Sequence, residues 1–310
     1  MLERLGINAK EAEKTLMVAS SEKKNQALKK IAEGLIENTD KIIEANKVDL
    51  ENGEKNGMAK SMLDRLKLDK ERIEGMAKGV LDVATLPEPV GRILSATERP
   101  NGLRIEKVST PIGVIAVIFE ARPNVTSDAA ALCLKSGNTV IFRGGKEAIN
   151  SNKTIAKVMR QAVKEAGMPE DVIQLVEDTS RESANELMKM NEYVDVLIPR
   201  GGAGLIQAVV KNATVPVIET GVGNCHIYID KNADLKKAVD IVFNAKTSRP
   251  SVCNAAESLL IHKDIAKEAL VAIKNKLDEK DVTLVGDSKA REIIPDTTGV
   301  GSASCATRAA

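Results

Sequence analysis

The sequence predicts an α/β protein in which a doubly wound parallel sheet follows a block of N-terminal helices. Three observations predict this fold. The chain has 310 residues, enough for two domains, and its 43% hydrophobic and 29% charged content is ordinary for a globular protein. Its first quarter carries a helical pattern, and from residue 103 short apolar runs alternate with helical segments. Such alternation implies right-handed crossovers onto a parallel sheet.

The first segment, residues 8–84, is predicted to form amphipathic helices. Apolar residues recur there at three- and four-residue spacing among lysines and glutamates, as at Ala27, Leu28, Ile31 and Leu35. This spacing places them on one face of a helix.

The spacing of apolar residues changes from a helical to a strand pattern at residue 103. Residues 103–108 alternate like a half-buried strand, and residues 114–119 form a continuous β-branched run typical of a strand buried on both faces. Further strands of the sheet are predicted at residues 139–142, 172–176, 194–198 and 215–218. Helices are predicted between them at residues 150–166, 181–190 and 203–212.

Charge and cysteine content narrow the function classes. The net charge of +1, from 45 basic and 44 acidic residues, argues against a nucleic-acid or membrane-surface partner and favours a small molecule. No run reaches about 18 apolar residues and the N-terminus is charged, so we expect neither a membrane span nor a signal peptide, and cytoplasmic residence. The four cysteines have no CxxC spacing, which fits a reducing compartment and no zinc site.

Cys253 is the candidate nucleophile. It lies in Lys246-Thr-Ser-Arg-Pro-Ser-Val-Cys-Asn-Ala-Ala-Glu257, a loop of small residues and cations, where a thiolate could be favoured over a thiol. A covalent acyl-transfer nucleophile requires this environment. A lone cysteine is more often a small buried hydrophobe, and the loop alone leaves both interpretations open.

Two glycine turns follow predicted strands, where ligands of parallel sheets bind. The first is Arg143-Gly-Gly-Lys146 and the second is Pro199-Arg-Gly-Gly-Ala-Gly204. Backbone amides and cations at such turns can bind phosphate, although a glycine pair is more often a tight turn or a helix cap. No G-x-G-x-x-G or Walker motif is present, so a dinucleotide would bind by a variant of the usual mode.

Four segments carry a resemblance to a known family. They are residues 111–124, 134–146, 198–202 and 245–257. Together they resemble the gamma-glutamyl phosphate reductases (glutamate-5-semialdehyde dehydrogenases), a divergent branch of the aldehyde dehydrogenase superfamily, and the match runs from the N-terminal helices to about Pro295. The resemblance implies an aldehyde-dehydrogenase-like fold. It also implies NADPH-dependent reduction of L-glutamyl 5-phosphate to L-glutamate 5-semialdehyde, the second step of proline biosynthesis from glutamate.

The resemblance assigns catalytic and substrate-binding roles. Cys253 would displace phosphate to form a thioester, with its backbone N–H as one oxyanion donor. The superfamily's usual asparagine falls on Ala121 here, so Asn124 is the substitute side-chain donor. Arg122, Lys246 and Arg249 are candidates for the substrate's phosphate and carboxylate, and a surface cation is the alternative for each.

The resemblance also assigns cofactor-binding residues. NAD-preferring relatives often carry a glutamate at the position of Lys146, and a cation there favours the 2'-phosphate of NADPH. Arg143 falls at the adenosine ribose, and the second phosphate-side turn falls on Arg200, Gly201 and Gly202.

Glu219 and Gly221 match the general base and glycine pair of aldehyde-oxidising relatives. Phosphate leaves and hydride arrives in the reductive direction, so no hydrolytic water needs activation and Glu219 is predicted to line the nicotinamide pocket. An aldehyde-oxidising dehydrogenase, in which Glu219 is the base, is the alternative function.

The family pattern stops near Pro295. The resemblance predicts N-terminal helices and an NADP-binding domain over residues 1–239, and an incomplete catalytic domain over residues 240–295. The small polar tail, residues 296–310, is expected to be an aberrant, disordered end after a truncation or frameshift, with Cys305 as an incidental thiol. Family members are expected to be homo-oligomers with glutamate 5-kinase as a candidate partner. An inactive nucleotide-binding fragment is a further alternative.

Overall fold

The computed structural model describes residues 2–221, 223–250 and 252–299. The chain forms two compact units, with the division between Thr220 and Gly221 rather than after residue 239. Of the predicted tail, residues 296–299 are described and residues 300–310 lie outside the described residues.

Five helices open the first unit, as the apolar spacing predicts. They are α1 (Leu2–Met17), α2 (Ser21–Glu37), α3 (Thr39–Lys55), α4 (Lys60–Leu66) and α5 (Lys70–Thr85). Two of them begin at side-chain caps, because Ser20 accepts a hydrogen bond from the Lys23 amide and Asp69 accepts one from the Arg72 amide.

The remainder of the first unit alternates strands and helices. The strands are β1 (Ile93–Glu98), β2 (Arg104–Val108), β3 (Val114–Phe119), β4 (Thr139–Arg143), β5 (Ile173–Leu175) and β6 (Val196–Arg200). The helices are α6 (Asn124–Lys135), α7 (Ile149–Glu165), α8 (Arg181–Leu187) and α9 (Ala203–Asn212), with 3₁₀ turns at Lys146–Ala148 and Glu170–Val172. β3 to β6 form a parallel sheet in the order β5-β4-β3-β6.

β3 is buried at every position and separates two apolar cores. Ile115, Val117 and Phe119 pack into a core with residues of α2, α5, α6 and α7. The alternate residues Val114, Ala116 and Ile118 belong to a second core, which includes residues of α1, α8 and α9. Helices therefore cover both faces of the sheet, which confirms the doubly wound fold.

Two predicted strands differ from the structure. Residues 104–108 form β2, which pairs antiparallel with β1 in a separate hairpin, and both strands are exposed throughout rather than half-buried. Residues 215–218 contribute only a single parallel bridge, from Val217 to Leu197. Pro216 explains the second difference, since proline has no N–H to donate to a ladder.

An ion pair joins the N-terminal helix to a residue near the C-terminal end of the first unit in sequence. Lys10 Nζ lies 2.5 Å from Asp195 Oδ2, and the same carboxylate oxygen accepts a hydrogen bond from the Val114 amide at 2.7 Å. One side chain thus links α1, the start of β3 and the segment before β6.

The second unit has its own core. It contains β7 (Cys225–Ile229), α10 (Leu235–Thr247), β8 (Ala256–Ile261), α11 (Ala266–Asp278), β9 (Val285–Gly286), α12 (Ser288–Ile293) and β10 (Thr298–Gly299). β7 and β8 are parallel, and their inward residues Ile229, Leu259 and Ile261 pack with α10 and α11. This packing places β7 and the start of α10 in the second unit, which moves the division toward the N-terminus relative to the sequence prediction.

Within the described ranges, no helix is both long and apolar enough to cross a membrane. Nor do His, Cys, Asp and Glu side chains in those ranges assemble into a group of three that could hold a metal ion.

Candidate active site and cofactor turns

Three turns lie side by side at the carboxyl edge of the first unit's sheet. The register pairs Ile118 of β3 with Arg143 of β4, and Phe119 of β3 with Arg200 of β6. Because β3 lies between β4 and β6, the turns that follow these three strands are neighbours. The sheet therefore brings the two glycine turns predicted from sequence to one edge, where ligands of parallel sheets bind.

In the turn after β4, the side chain of Arg143 is bound to the backbone of a neighbouring loop. Arg143 is half-buried, and its NH2 group donates to the carbonyl oxygens of Thr179 and Ser180 at 2.6 and 2.8 Å. Burial lowers the pKa of the Arg143 guanidinium, while Glu147 and Asp178 act in the opposite direction. Lys146 is exposed at the start of the following 3₁₀ turn. Arg143 thus braces the loop before α8, and Lys146 is the accessible cation of this turn.

Gly144 and Gly145 allow close packing at the same turn. A Cβ at Gly144 would lie 2.2 Å from Nδ2 of the buried Asn152 and 3.1 Å from Cζ of Phe119. A Cβ at Gly145 would lie 2.6 Å from the Glu147 carboxylate. Gly144 is therefore required by the core beneath the turn, whereas Gly145 leaves room for the carboxylate of Glu147.

The turn after β6 leads directly into α9. Gly202 is the N-cap of α9 and provides no side-chain cap. Its amide donates instead to Oε2 of Glu120, the first residue after β3, at 3.0 Å. A Cβ at Gly201 would lie only 2.7 Å from Cδ of Glu120. A carboxylate of the chain itself therefore lies against the second glycine turn.

The turn after β3 carries the predicted oxyanion donor. Asn124 begins α6, and its Nδ2 donates to Oδ2 of Asp128 at 2.9 Å. Asp128 is exposed, yet desolvation by the neighbouring protein raises its pKa, and hydrogen bonds from Asn124 and Ser127 only partly oppose this. Arg122 is half-buried in this turn, and Ala121 is buried. One N–H of Asn124 is thus engaged by Asp128, and the amide has a second N–H.

The second unit holds Cys253 in a braced loop between α10 and β8. Cys253 is exposed, and its carbonyl oxygen lies 3.4 Å from Sγ of Cys225, at the start of β7. Lys246 Nζ, from the last turn of α10, donates to the carbonyl oxygen of Ala256 at 3.0 Å. Arg249 is exposed in the same loop. Cys253, Lys246 and Arg249 therefore belong to the same connection from α10 to β8, with the Lys246 side chain bound to the backbone.

The described cysteines differ in accessibility. Cys133 is 6% exposed in the first core, and burial raises its pKa to about 12. Cys225 is half-buried, and Cys253 is exposed. Accessibility thus singles out Cys253 as the thiol best placed to meet a substrate.

Glu219 and Gly221 lie outside helices and strands. Both are exposed, Glu219 near the end of the first unit and Gly221 at the start of the second. Of the cofactor candidates, Arg143, Lys146, Arg200, Gly201 and Gly202 share the sheet edge, whereas Glu219 and Gly221 lie beyond the Val217 bridge.

Three residues of these sites were not predicted from the sequence. They are Glu120, Asp128 and Cys225. The position of Glu120 directly after a buried strand was a usable signal, because an acid there can reach a neighbouring helix N-terminus. Asp128 follows Asn124 at the i+4 spacing of contacting helical side chains. Cys225 had no such signal, since only the pairing of β7 with β8 shows its proximity to Cys253.

Comparison with known proteins gives consistent matches. A model described as "Aldehyde dehydrogenase family" matches residues 3–294. The gamma-glutamyl phosphate reductase of Clostridium botulinum (strain Eklund 17B) is 58% identical over 291 residues, which are 94% of this chain and 70% of that protein. The crystal structure of the Thermotoga maritima gamma-glutamyl phosphate reductase superposes with a TM-score of 0.88 at 47% identity, covering 97% of this chain and 73% of that one. The Saccharomyces cerevisiae structure of the same name gives a TM-score of 0.64 at 36% identity, covering 93% and 72%.

Proposed function

The chain belongs to the aldehyde dehydrogenase family and, within it, to the gamma-glutamyl phosphate reductases of proline biosynthesis, and we propose that it reduces L-glutamyl 5-phosphate through a thioester on Cys253 with NADPH as cofactor. The observation that carries this proposal is the exposed thiol of Cys253 in a loop braced by Lys246 and Cys225. A nucleophile needs both access to substrate and a fixed position.

In the first step the thiolate of Cys253 attacks the acyl carbon of the substrate. The new carbon–sulfur bond forms as the carbon–oxygen bond to phosphate breaks, and phosphate leaves with that electron pair. The backbone N–H of Cys253 and the second N–H of Asn124 are the proposed donors to the developing oxyanion. Arg122, Lys246 and Arg249 are the proposed partners of the substrate's phosphate and carboxylate.

The residues of the sheet edge fit a nicotinamide dinucleotide. Gly145, Gly201 and Gly202 have no Cβ, and the exposed Lys146 supports a 2'-phosphate. When bound, the cofactor supplies the hydride that reduces the thioester. Departure of sulfur from the reduced carbon then returns the Cys253 thiolate and releases the aldehyde. We assign Arg143 and Arg200 to the turns that hold the cofactor, and Glu219 and Gly221 to the nicotinamide pocket.

The proposal extends to the surroundings of the enzyme. Acyl phosphates hydrolyse readily, which favours direct supply of the substrate by glutamate 5-kinase. We also propose that the protein assembles into homo-oligomers and resides in the cytoplasm.

The reaction can be tested in the reverse direction with the purified chain. Glutamate 5-semialdehyde, phosphate and NADP⁺ should yield NADPH, which is followed by its absorbance. We expect Cys253→Ser to abolish this rate and Cys133→Ala, a substitution in the first core, to retain it. A rate that needs no phosphate would instead favour an aldehyde-oxidising dehydrogenase with Glu219 as its base. An unchanged rate in Cys253→Ser would refute the thioester route.

A further inference from the structure

We propose that Glu120 is an internal competitor of the cofactor, because its carboxylate occupies the N-terminus of α9 and must leave before the cofactor's phosphates can bind there. This inference rests on the proposed function, since it concerns the cofactor of that reaction. It assigns Glu120 a role in setting cofactor affinity rather than in the chemistry.

The contact itself is specific. Oε2 of Glu120 accepts the hydrogen bond of the Gly202 amide at 3.0 Å, and the carboxylate carbon lies where a Cβ of Gly201 would clash at 2.7 Å. The missing Cβ of Gly201 therefore admits the carboxylate to the turn, whereas Gly202 contributes its amide. Any side chain at Gly201 would meet the carboxylate of Glu120.

The cap of α9 is not local, unlike those of α2, α5 and α10, and it comes from an exposed residue, unlike the buried Asp49 that caps α7 from α3. α2, α5 and α10 each begin at a residue that caps its own helix, namely Ser20, Asp69 and Asp234. α9 has ten residues and begins at glycine, so its cap comes from a different turn of the sheet, 82 positions earlier in the sequence. A local cap is part of its helix, whereas an exposed glutamate on a neighbouring turn can rotate away from the helix.

Competition follows from the chemistry of the helix N-terminus. Its free amides and positive dipole end attract anions, and the amide of Gly202 is already engaged by the carboxylate of Glu120. A phosphate that approached this turn would meet a like charge within a few ångströms. Cofactor binding therefore includes the cost of displacing Glu120, and cofactor release is assisted when the carboxylate returns.

The test measures NADPH binding to the full chain by calorimetry or by nicotinamide fluorescence. We expect Glu120→Gln to lower the Kd about two- to fivefold, the range expected for one charge at a helix N-terminus, and the gain to shrink at high salt. Glu120→Asp keeps the charge on a shorter side chain and should give an intermediate Kd. Glu98→Gln, the same charge change on the exposed strand β1, is the matched control and should leave the Kd unchanged.

The outcomes separate this inference from the proposed function. If the wild-type chain binds NADPH and Glu120→Gln binds it equally well or more weakly, the competition is refuted while the cofactor proposal stands. If neither the wild type nor any variant binds NADPH, both are refuted. A thermal melt of each variant accompanies the titration, because a purely structural cap would lower the Tm on substitution without any gain in affinity.

Discussion

Lys246 and Ala256 close the loop that carries Cys253, because the Lys246 ammonium donates to the Ala256 carbonyl oxygen at 3.0 Å across the gap between α10 and β8. A second contact of the loop, from Cys225 Sγ to the Cys253 carbonyl oxygen, lies on the side of β7. The Cys253 loop is thus held by contacts with α10 and with β7 of the second unit.

Removal of the Lys246 contact should loosen this loop. We expect Lys246→Met to lower the free energy of unfolding by about 1–2 kcal/mol, the range of a hydrogen bond to a charged group that is partly exposed. Amide hydrogen exchange in residues 248–255 should be faster in Lys246→Met than in the wild type. Exchange in Lys246→Arg should be slower than in Lys246→Met, because arginine keeps a donor for the Ala256 carbonyl oxygen. Identical exchange in wild type and Lys246→Met would show that the contact does not hold the loop.

Thiol reactivity should differ sharply between cysteines. The Cys133 thiol has its pKa raised to about 12 by burial, so at neutral pH it should react with iodoacetamide on the order of a thousandfold more slowly than an ordinary exposed thiol. Cys253, which is exposed, should be alkylated first. Peptide mass spectrometry over a time course measures both rates, and alkylation of Cys133 at the rate of Cys253 would contradict the burial.

Asp128 should give the first unit a pH-dependent stability. Desolvation by the surrounding protein raises its pKa although the side chain is exposed, so the folded chain binds this proton more tightly than the unfolded chain, by an amount that solvent screening keeps small. The resulting stability is present below the unfolded pKa of about 3.9 and is lost as the pH rises through the folded value. Asp128→Asn keeps an acceptor for Asn124 without ionising. Urea unfolding should therefore give similar stabilities at low pH and a more stable variant at neutral pH. Parallel pH profiles of the two proteins would contradict this.

Gly144 and Gly204 provide a matched pair of glycine substitutions. Gly144→Ala places a Cβ 2.2 Å from the buried Asn152 amide and should cost about 1–3 kcal/mol of stability through overpacking. Gly204→Ala, in the first turn of α9 with nothing within 4 Å of the new Cβ, should be neutral or stabilise by up to about 1 kcal/mol. Denaturant unfolding measures both, and equal effects would refute the packing argument.

The sequence predicted the parts of the fold that depend on local pattern. The continuous apolar run of β3 and the spacing of the helices before it were correctly interpreted, because burial on both faces and helical periodicity leave direct marks on a sequence. The exposure of β2 was not predictable, since its alternating residues match a half-buried strand and only its pairing with β1 shows that the hairpin stands apart from the sheet.

Local sequence pattern also predicted only part of the candidate sites. Residue type and position after a strand were enough to predict that the turns at Lys146 and Gly202 lie at one sheet edge. The contact between the Glu120 carboxylate and the Gly202 amide forms because β3 and β6 are neighbours in the sheet. The contact between Cys225 and Cys253 forms because β7 pairs with β8. Long-range pairing of this kind leaves no local mark in a single sequence.

The strand order of the first unit also constrains how the chain acquires its structure during synthesis. β3 pairs with β6, and Lys10 of the first helix pairs with Asp195. Neither pairing can form until about 200 residues have left the ribosome. Until then one edge of β3 is unpaired and one face of α1 is uncovered. Nascent chains of this protein should therefore expose this strand edge and helix face until β6 emerges, and the Glu120 cap on α9 should be among the last contacts of the first unit to form.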